Sequence, residues 1–259
     1  MTQYPEITID IPDGKYVYFA SDFHLGNMNV DSSIAREKNI IRWLSTIEED
    51  AAAIFLVGDV FDFWFEYRHS IPKGCTRLLG KLAELSDAGI PIHVFTGNHD
   101  IWMFGYFEEE LKIPVYHEPR VLNIGAKKFF VGHGDGLGPG DKKFKWMKKV
   151  FTTPFFQWCF RWLHPDIGIK IASIWSERSR TNPADERYMG DAREWLVQYA
   201  KRRLEETHFD VFVFGHRHLP IKKDLNEKSI YFNLGDWIVN NTYLKFNGHE
   251  ANLEHFTGS

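Results

Sequence analysis

Short apolar runs punctuate the chain, and each breaks off at glycine or at a residue able to bind metal or move protons. Tyr16-Val17-Tyr18-Phe19-Ala20 ends at Ser21-Asp22, and Ile54-Phe55-Leu56-Val57 ends at Gly58-Asp59. Ile92-His93-Val94-Phe95 runs into Thr96-Gly97-Asn98-His99-Asp100, Phe129-Phe130-Val131 into Gly132-His133, and Val211-Phe212-Val213-Phe214 into Gly215-His216. Their length, their β-branched and aromatic content and the flanking glycines predict strands buried on both faces. Between the first three, helical periodicity runs roughly from Ser32 to Glu48 and from Cys75 to Ala88, the latter with Leu78, Leu79, Leu82 and Leu85 on one face. Alternating strand and helix predicts an α/β core, and ligand sites in such cores lie beyond the carboxyl ends of the strands.

The pattern changes after Asp135. Gly136 to Gly140 reads as a glycine-rich bend, and from there to about Glu206 no convincing strand occurs, only several helices. Within that stretch, Phe151 to Leu163 is apolar on too many sides for a helix with one wet face, so it is either buried or meets an apolar partner. Strands return after His208, with Ile230-Tyr231-Phe232-Asn233-Leu234 the clearest and edge strands expected up to Phe256. The expected organisation is one domain over residues 1–259, long enough for a large core, with a helical insertion or cap over 136–206.

Composition narrows the function. A formal net charge of -4 lacks the basic surplus that general nucleic-acid binding requires. Cys75 and Cys159 have no CxxC spacing, which argues against a disulfide framework or a zinc knuckle. No signal peptide or membrane-spanning run is recognisable, so a cytoplasmic protein is expected. The aromatic share of 16% exceeds what a core of this size needs, so some rings are expected to line an apolar groove or face a membrane.

A lone Gly-Asp or Gly-His at a strand end is usually a turn or a satisfied histidine. Here five strand ends in succession carry such residues: Asp22 and His24, Asp59, Asn98-His99-Asp100, His133, and His216 and His218. If the segments are extended, residues i and i+2 project to one side, so Asp22 with His24, and His216 with His218, converge. Carboxylate, imidazole and amide donors suit Mn, Fe, Co or Zn. Two such cations ~4 Å apart need a shared carboxylate, for which Asp59 is the natural choice. Two cations bring more positive charge than Asp22 and Asp59 return, so the site calls for an anion such as a phosphoester, attacked by metal-bound hydroxide. His99 is the expected proton donor to the leaving oxygen, oriented by Asp100.

In this order DFH, GDVFDFW, GNHD, GHGD and GHRH resemble the calcineurin-like metallophosphoesterase superfamily. The resemblance spans positions 22 to 218 and implies an αββα sandwich, two β-sheets flanked by helices. It also implies that Asp22, His24, Asp59 and His218 hold one metal, Asp59, Asn98, His133 and His216 the other, and that His99 is catalytic. SDFHL, GDVFDFW, the helical insert after HGD, and Leu234-Gly235-Asp236-Trp237 resemble in particular the UDP-2,3-diacylglucosamine pyrophosphatases of lipid A biosynthesis. Such enzymes release UMP and 2,3-diacylglucosamine 1-phosphate. This likeness implies two divalent ions, manganese first, an acylated nucleotide sugar as substrate, and substrate contacts from Asn98, Asp141 and Arg178. Many members of that family carry arginine where this chain has His99. That departure keeps open a phosphodiesterase or phosphatase acting on another nucleotide or phosphorylated substrate, beside a scaffold that has lost catalysis.

The aromatic insert is placed to cover acyl chains, and Lys142, Lys143, Lys145, Lys148 and Lys149 to meet anionic headgroups or substrate phosphates, giving peripheral contact with the cytoplasmic face of the inner membrane. The plainer alternatives are a solvated lysine face and a packed helical hairpin or dimer contact. His69, His93, His117, His164, His208, His249 and His255 fall outside the strand-end pattern and are expected to be structural or at the surface.

Overall fold

The computed structural model describes residues 4–26, 29–138, 142–171, 188 and 190–258, without the side chains of 142–144. In chain order its strands are β1 (Glu6–Ile9), β2 (Tyr16–Ala20), β3 (Ala51–Val57), β4 (Ile92–Phe95), β5 (Val115–Tyr116), β6 (Arg120–Ile124), β7 (Lys127–Val131), β8 (Val211–Phe214), β9 (Pro220–Asn226), β10 (Ser229–Leu234), β11 (Thr242–Phe246) and β12 (Ala251–His255). The helices are α1 (Val30–Ile47), α2 (Thr76–Asp87), α3 (Tyr106–Glu110), α4 (Lys142–Phe151), α5 (Pro154–Arg161) and α6 (Trp195–Glu206).

Side-chain alternation along the central strands builds the layers. Val17 and Phe19 of β2, with Ala53, Phe55 and Val57 of β3, face a core shared with Phe129 and Val131 of β7, Val213 of β8 and Phe232 of β10. Tyr18 and Ala20, with Ile54 and Leu56, face the opposite way into a core with Ile40, Trp43 and Leu44 of α1 and Leu78, Leu82 and Leu85 of α2. A third core sets Phe130, Phe212 and Phe214 against Leu196, Val197 and Ala200 of α6. The order helix, sheet, sheet, helix is the predicted αββα sandwich. Each large apolar side chain fully buried in it contributes roughly 1.5–3 kcal/mol.

The two six-stranded sheets run β12-β11-β2-β3-β4-β5 and β1-β6-β7-β8-β10-β9. β2, β3 and β4 are mutually parallel in one sheet, as are β7, β8 and β10 in the other. Each parallel set therefore delivers its carboxyl-terminal loops at one end of its sheet. Glu37 of α1 locks α2 in place: its Oε1 accepts from the amides of Arg77 and Leu78 at 2.9 and 3.1 Å, filling donors that the N-cap Cys75 leaves unserved.

Four strands lay outside the sequence reading. β9 carries Lys222 and Lys223 and reads as polar because it is a sheet edge, where charge deters pairing with other chains. Of β1, β5 and β6, β5 has only two residues, and β6 is joined to β7 through the tight turn at Gly125, which has φ +57°. Between β7 and β8 the described elements are α4, α5 and α6. α5 turns Phe160 inward onto Phe63, Phe65 and Trp102, while Phe155, Trp158 and Trp162 are 68%, 57% and 76% exposed. In this stretch Phe160 is packed, whereas Phe155, Trp158 and Trp162 meet solvent.

Candidate metal centre

The loops after β2 and β3 continue side by side beyond their strands, with Asp22 N–H donating to Gly58 O at 3.1 Å and His24 N–H to Asp59 O at 3.0 Å. In the other sheet, Gly215 N–H donates to His133 O at 3.0 Å. Among the described residues three donor groups result, one of them His24 with Asp62 and His99. One atom from each of Asp22, His24, Asp59 and His218 lies within 4.8 Å of every other in that group, and the same holds for Asp59, His133 and His216. Asp59 belongs to both, so all the histidines and aspartates expected to bind metal come together.

Their convergence has a different backbone origin from the one predicted. Asp22, His24, Asp59, His216 and His218 have φ of 58, 46, 51, 66 and 53°, so these segments are left-handed turns rather than extended chain. Non-glycine residues adopt this conformation at a cost of roughly 1–3 kcal/mol each, and such strain collects at functional sites. The i, i+2 relation survives because the intervening side chain is anchored away from the donors. Phe23 packs edge-on against Trp43 and Trp237, and Arg217 pairs with Glu194.

The glycines of the motifs are required by close approach. A Cβ on Gly97 would lie 2.2 Å from Asp59 Oδ1, one on Gly215 2.5 Å from Asp22 Oδ2, and one on Gly58 2.5 Å from His133 Nδ1. These glycines let backbone and donors share one small volume.

Within this volume Asp22, Asp59 and His133 each have one polar atom spent on the protein and another left inward. Asp22 Oδ2 accepts from Ser21 Oγ at 2.5 Å and from His216 N–H at 3.0 Å, while Oδ1 is buried without a hydrogen-bond partner. Asp59 Oδ1 accepts from His99 N–H at 2.9 Å, leaving Oδ2 3.2 Å from His133 Nε2 and 3.8 Å from His24 Nε2. His133 Nδ1 donates to Val57 O at 2.9 Å, which fixes the tautomer and leaves Nε2 buried without a partner. Asn98 Oδ1 is likewise a buried, unpartnered acceptor. Orphaned lone pairs from carboxylate, imidazole and amide fit two borderline-hard divalent cations.

Charge within the cage says the same. Burial alone would raise the carboxyls of Asp22 and Asp59, yet the surrounding imidazoles, His218 foremost for Asp22 and His133 for Asp59, hold both below the usual carboxylate range. Burial opposes the charged forms of His24 and His133, but the carboxylates outweigh it and push them up to about 9 and about 10. His216 goes down to about 4, through burial and the charge of His133. This is an electrostatic hollow that attracts positive charge.

The expected pairing of His99 with Asp100 is replaced by another arrangement. His99 Nδ1 donates to Asp62 O at 3.0 Å. Asp100 instead fastens two loops, Oδ1 accepting from Gly97 N–H at 2.6 Å and Oδ2 from Val60 N–H at 2.8 Å. Burial, with the charge of Asp59, pushes the Asp100 carboxyl up to about 7. Burial also holds the His99 imidazole below its ordinary value, against the pull of Asp59 and Asp62. Asp62 had no role in the sequence reading, although it sits three residues after Asp59; its Oδ1 is 3.4 Å from His24 Nδ1. Asp141 and Arg178, expected to touch substrate, lie outside the described residues.

The calcineurin-like phosphoesterase family matches residues 15–220. A Porphyromonas gingivalis protein named UDP-2,3-diacylglucosamine hydrolase is 34% identical over 252 residues, covering 92% of this chain and 96% of its own. A Vibrio parahaemolyticus protein of the same name is 24% identical over 241 residues, covering 91% and 96%. Among solved structures, TT1561 of Thermus thermophilus is similar with a TM-score of 0.47 at 10% identity, covering 93% of this chain and 99% of its own.

Proposed function

The chain belongs to the calcineurin-like phosphoesterase family, whose hydrolases depend on divalent metal ions, and from that premise we propose that it cleaves the pyrophosphate of UDP-2,3-diacylglucosamine to UMP and 2,3-diacylglucosamine 1-phosphate. The observation that carries the reading is the pair of donor groups sharing Asp59. Support for the substrate comes from the relative of that name, aligned over nearly the full length of both chains.

In this proposal Asp22, His24, Asp59 and His218 hold one cation and Asp59, Asn98, His133 and His216 the other, with manganese the expected metal. When bound, the two cations neutralise charge on the phosphoryl oxygens and make water a stronger nucleophile near neutral pH. His99, its Nδ1–H committed to Asp62 O, keeps Nε2 for a proton that goes to the leaving phosphate oxygen as the phosphorus–oxygen bond breaks. Asp100 holds the Gly97 and Val60 backbones, and with them Asn98 and Asp59, at fixed separation. Asn98, Asp141 and Arg178 are the proposed substrate contacts.

The exposed row of Phe155 and Trp158 on α5 and Trp162 at its C-cap supports a role for the 136–206 segment as an insertion within one domain that receives acyl chains at the cytoplasmic face of a membrane. Among the described residues no helix is long and apolar enough to cross a membrane. The test is turnover by manganese-loaded protein of UDP-2,3-diacylglucosamine against a generic aryl phosphodiester. Release of UMP from the first supports the reading; strong turnover of the second alone refutes it in favour of another phosphodiester.

A further inference from the structure

Arg217 stands between His216 and His218, yet its side chain leaves the donor cage. Its guanidinium makes a two-point contact with Glu194, Nε to Oε2 and Nη2 to Oε1, both 3.0 Å. Arg217 is 6% exposed and Glu194 1%, so this is a buried, forked ion pair, the geometry in which arginine is most strongly oriented. Glu194 is the N-cap residue of α6, the last helix before β8.

The next residue joins the same contact. The Trp195 ring lies edge-on to His216 at 5.7 Å. It also packs on Gly138, so closely that a Cβ there would lie 3.0 Å from the ring. Trp195 thus links Gly138 to the loop that carries His216 and His218. Asn233 Nδ2 donates to Gly215 O at 2.5 Å and holds the loop from its other end.

We propose that the Glu194–Arg217 pair is a positioning device: it holds the left-handed His216-Arg217-His218 turn so that one histidine reaches each of the two donor groups that share Asp59, and it ties the start of α6 to the metal centre. The proposal rests on the two-cation reading of the site. Its logic is that of the opposite loop, where Phe23, between Asp22 and His24, is anchored by Trp43 and Trp237. A left-handed residue on either side of an anchored one has little freedom to relax. Releasing the anchor lets both histidines drift together, so both cations are affected, unlike the loss of a group that supports a single donor.

Breaking one partner leaves a buried charge, so the informative variant replaces both with apolar side chains of similar size, Arg217→Met with Glu194→Leu, an exchange that buried ion pairs often tolerate. Mn2+ and Co2+ titrations, the visible absorption of the Co2+-loaded protein and the unfolding temperature of the metal-free protein are measured on wild type and variant. The expected result is an unfolding temperature close to wild type, affinity weakened roughly 10–100-fold for both cations, as is typical when groups supporting metal ligands are lost, and an altered Co2+ spectrum. A folded variant with unchanged affinities and spectrum overturns the proposal. If the double variant does not fold, Arg217→Lys, which keeps the charge but loses the fork, is read by the same titrations. A wild-type protein that binds neither ion overturns the metal-centre reading itself and the proposal with it, a result distinct from wild-type binding that the variant leaves intact.

Discussion

Asp62 reaches His99 through its main chain, its carbonyl oxygen accepting from His99 Nδ1 at 3.0 Å. Its side chain serves a different residue, with Oδ1 3.4 Å from His24 Nδ1. One residue thus supports a proposed metal donor and the proposed proton donor by separable means. Asp62→Ala removes the carboxylate but keeps the carbonyl. Mn2+ affinity is expected to fall roughly 10–100-fold while kcat recovers at saturating Mn2+. Unchanged affinity in a calorimetric titration would rule out support of His24 by Asp62.

His99 itself has a different signature. His99→Gln removes a proton donor without removing a proposed metal donor, so kcat is expected to drop roughly 10²–10⁴-fold with metal content preserved. Elemental analysis beside steady-state rates on a substrate with a poor leaving group checks this. Near-full rate on that substrate sinks the assignment.

The strand ends were legible in the sequence because buried strands announce themselves by composition, and the motif glycines mark where the chain turns. From these, Asp22, His24, Asp59, His133, His216 and His218 were read correctly as neighbours. What the residue pattern does not reveal is how they converge. A left-handed aspartate or histidine looks like any other in sequence, and its strain is sustained only by tertiary anchors such as Phe23 against Trp237 or Arg217 against Glu194. The pairing of Asp100 with backbone amides rather than His99 was equally hidden, since adjacency in sequence suggested a contact that the turn at Gly97 does not make. β9 escaped notice because an edge strand is selected for polarity as much as for packing.

Gly97→Ala tests how tightly the two loops are fitted. The added methyl would meet Asp59 Oδ1 at 2.2 Å, with the Asp59 main-chain nitrogen at 2.7 Å, so the shared carboxylate has to move. Metal content is expected to fall well below one ion per chain, with a loss of stability of about 2 kcal/mol. Full occupancy by elemental analysis with an unchanged urea midpoint would show that the loops are looser than drawn.

His93 gives a pH test away from the metal centre. It stacks between Phe55 and Tyr116, and burial pushes its imidazole down to about 4 from an ordinary 6.5. The unfolded chain therefore binds the proton more readily between those values. The contribution of neutral His93 is present in full above pH 6.5 and is lost as pH falls from there towards 4. Between pH 7.5 and 5 the wild type should lose about 2 kcal/mol more than His93→Phe, read as the difference between their urea unfolding free energies. Parallel pH profiles would mean that His93 is hydrated and titrates normally.

The α5 face separates substrate binding from stability most cleanly. Phe155, Trp158 and Trp162 are largely exposed, whereas Phe160 of α5 holds that helix to Phe65 and Trp102. Replacing the three exposed rings with serine, and leaving Phe160 alone, removes little packing, so the unfolding temperature should stay within a few degrees of wild type. The same change removes the apolar surface offered to acyl chains, each buried methylene of which is worth roughly 0.8 kcal/mol. kcat/KM for UDP-2,3-diacylglucosamine should then fall at least about tenfold, because contact with two or more methylenes is lost. Turnover of a short aryl phosphodiester should be unaffected, since that substrate has no chain to reach α5. Equal losses on both substrates would instead place the effect at the metal centre, transmitted through Trp102 and the carbonyl of Phe151 that its indole N–H contacts at 2.9 Å.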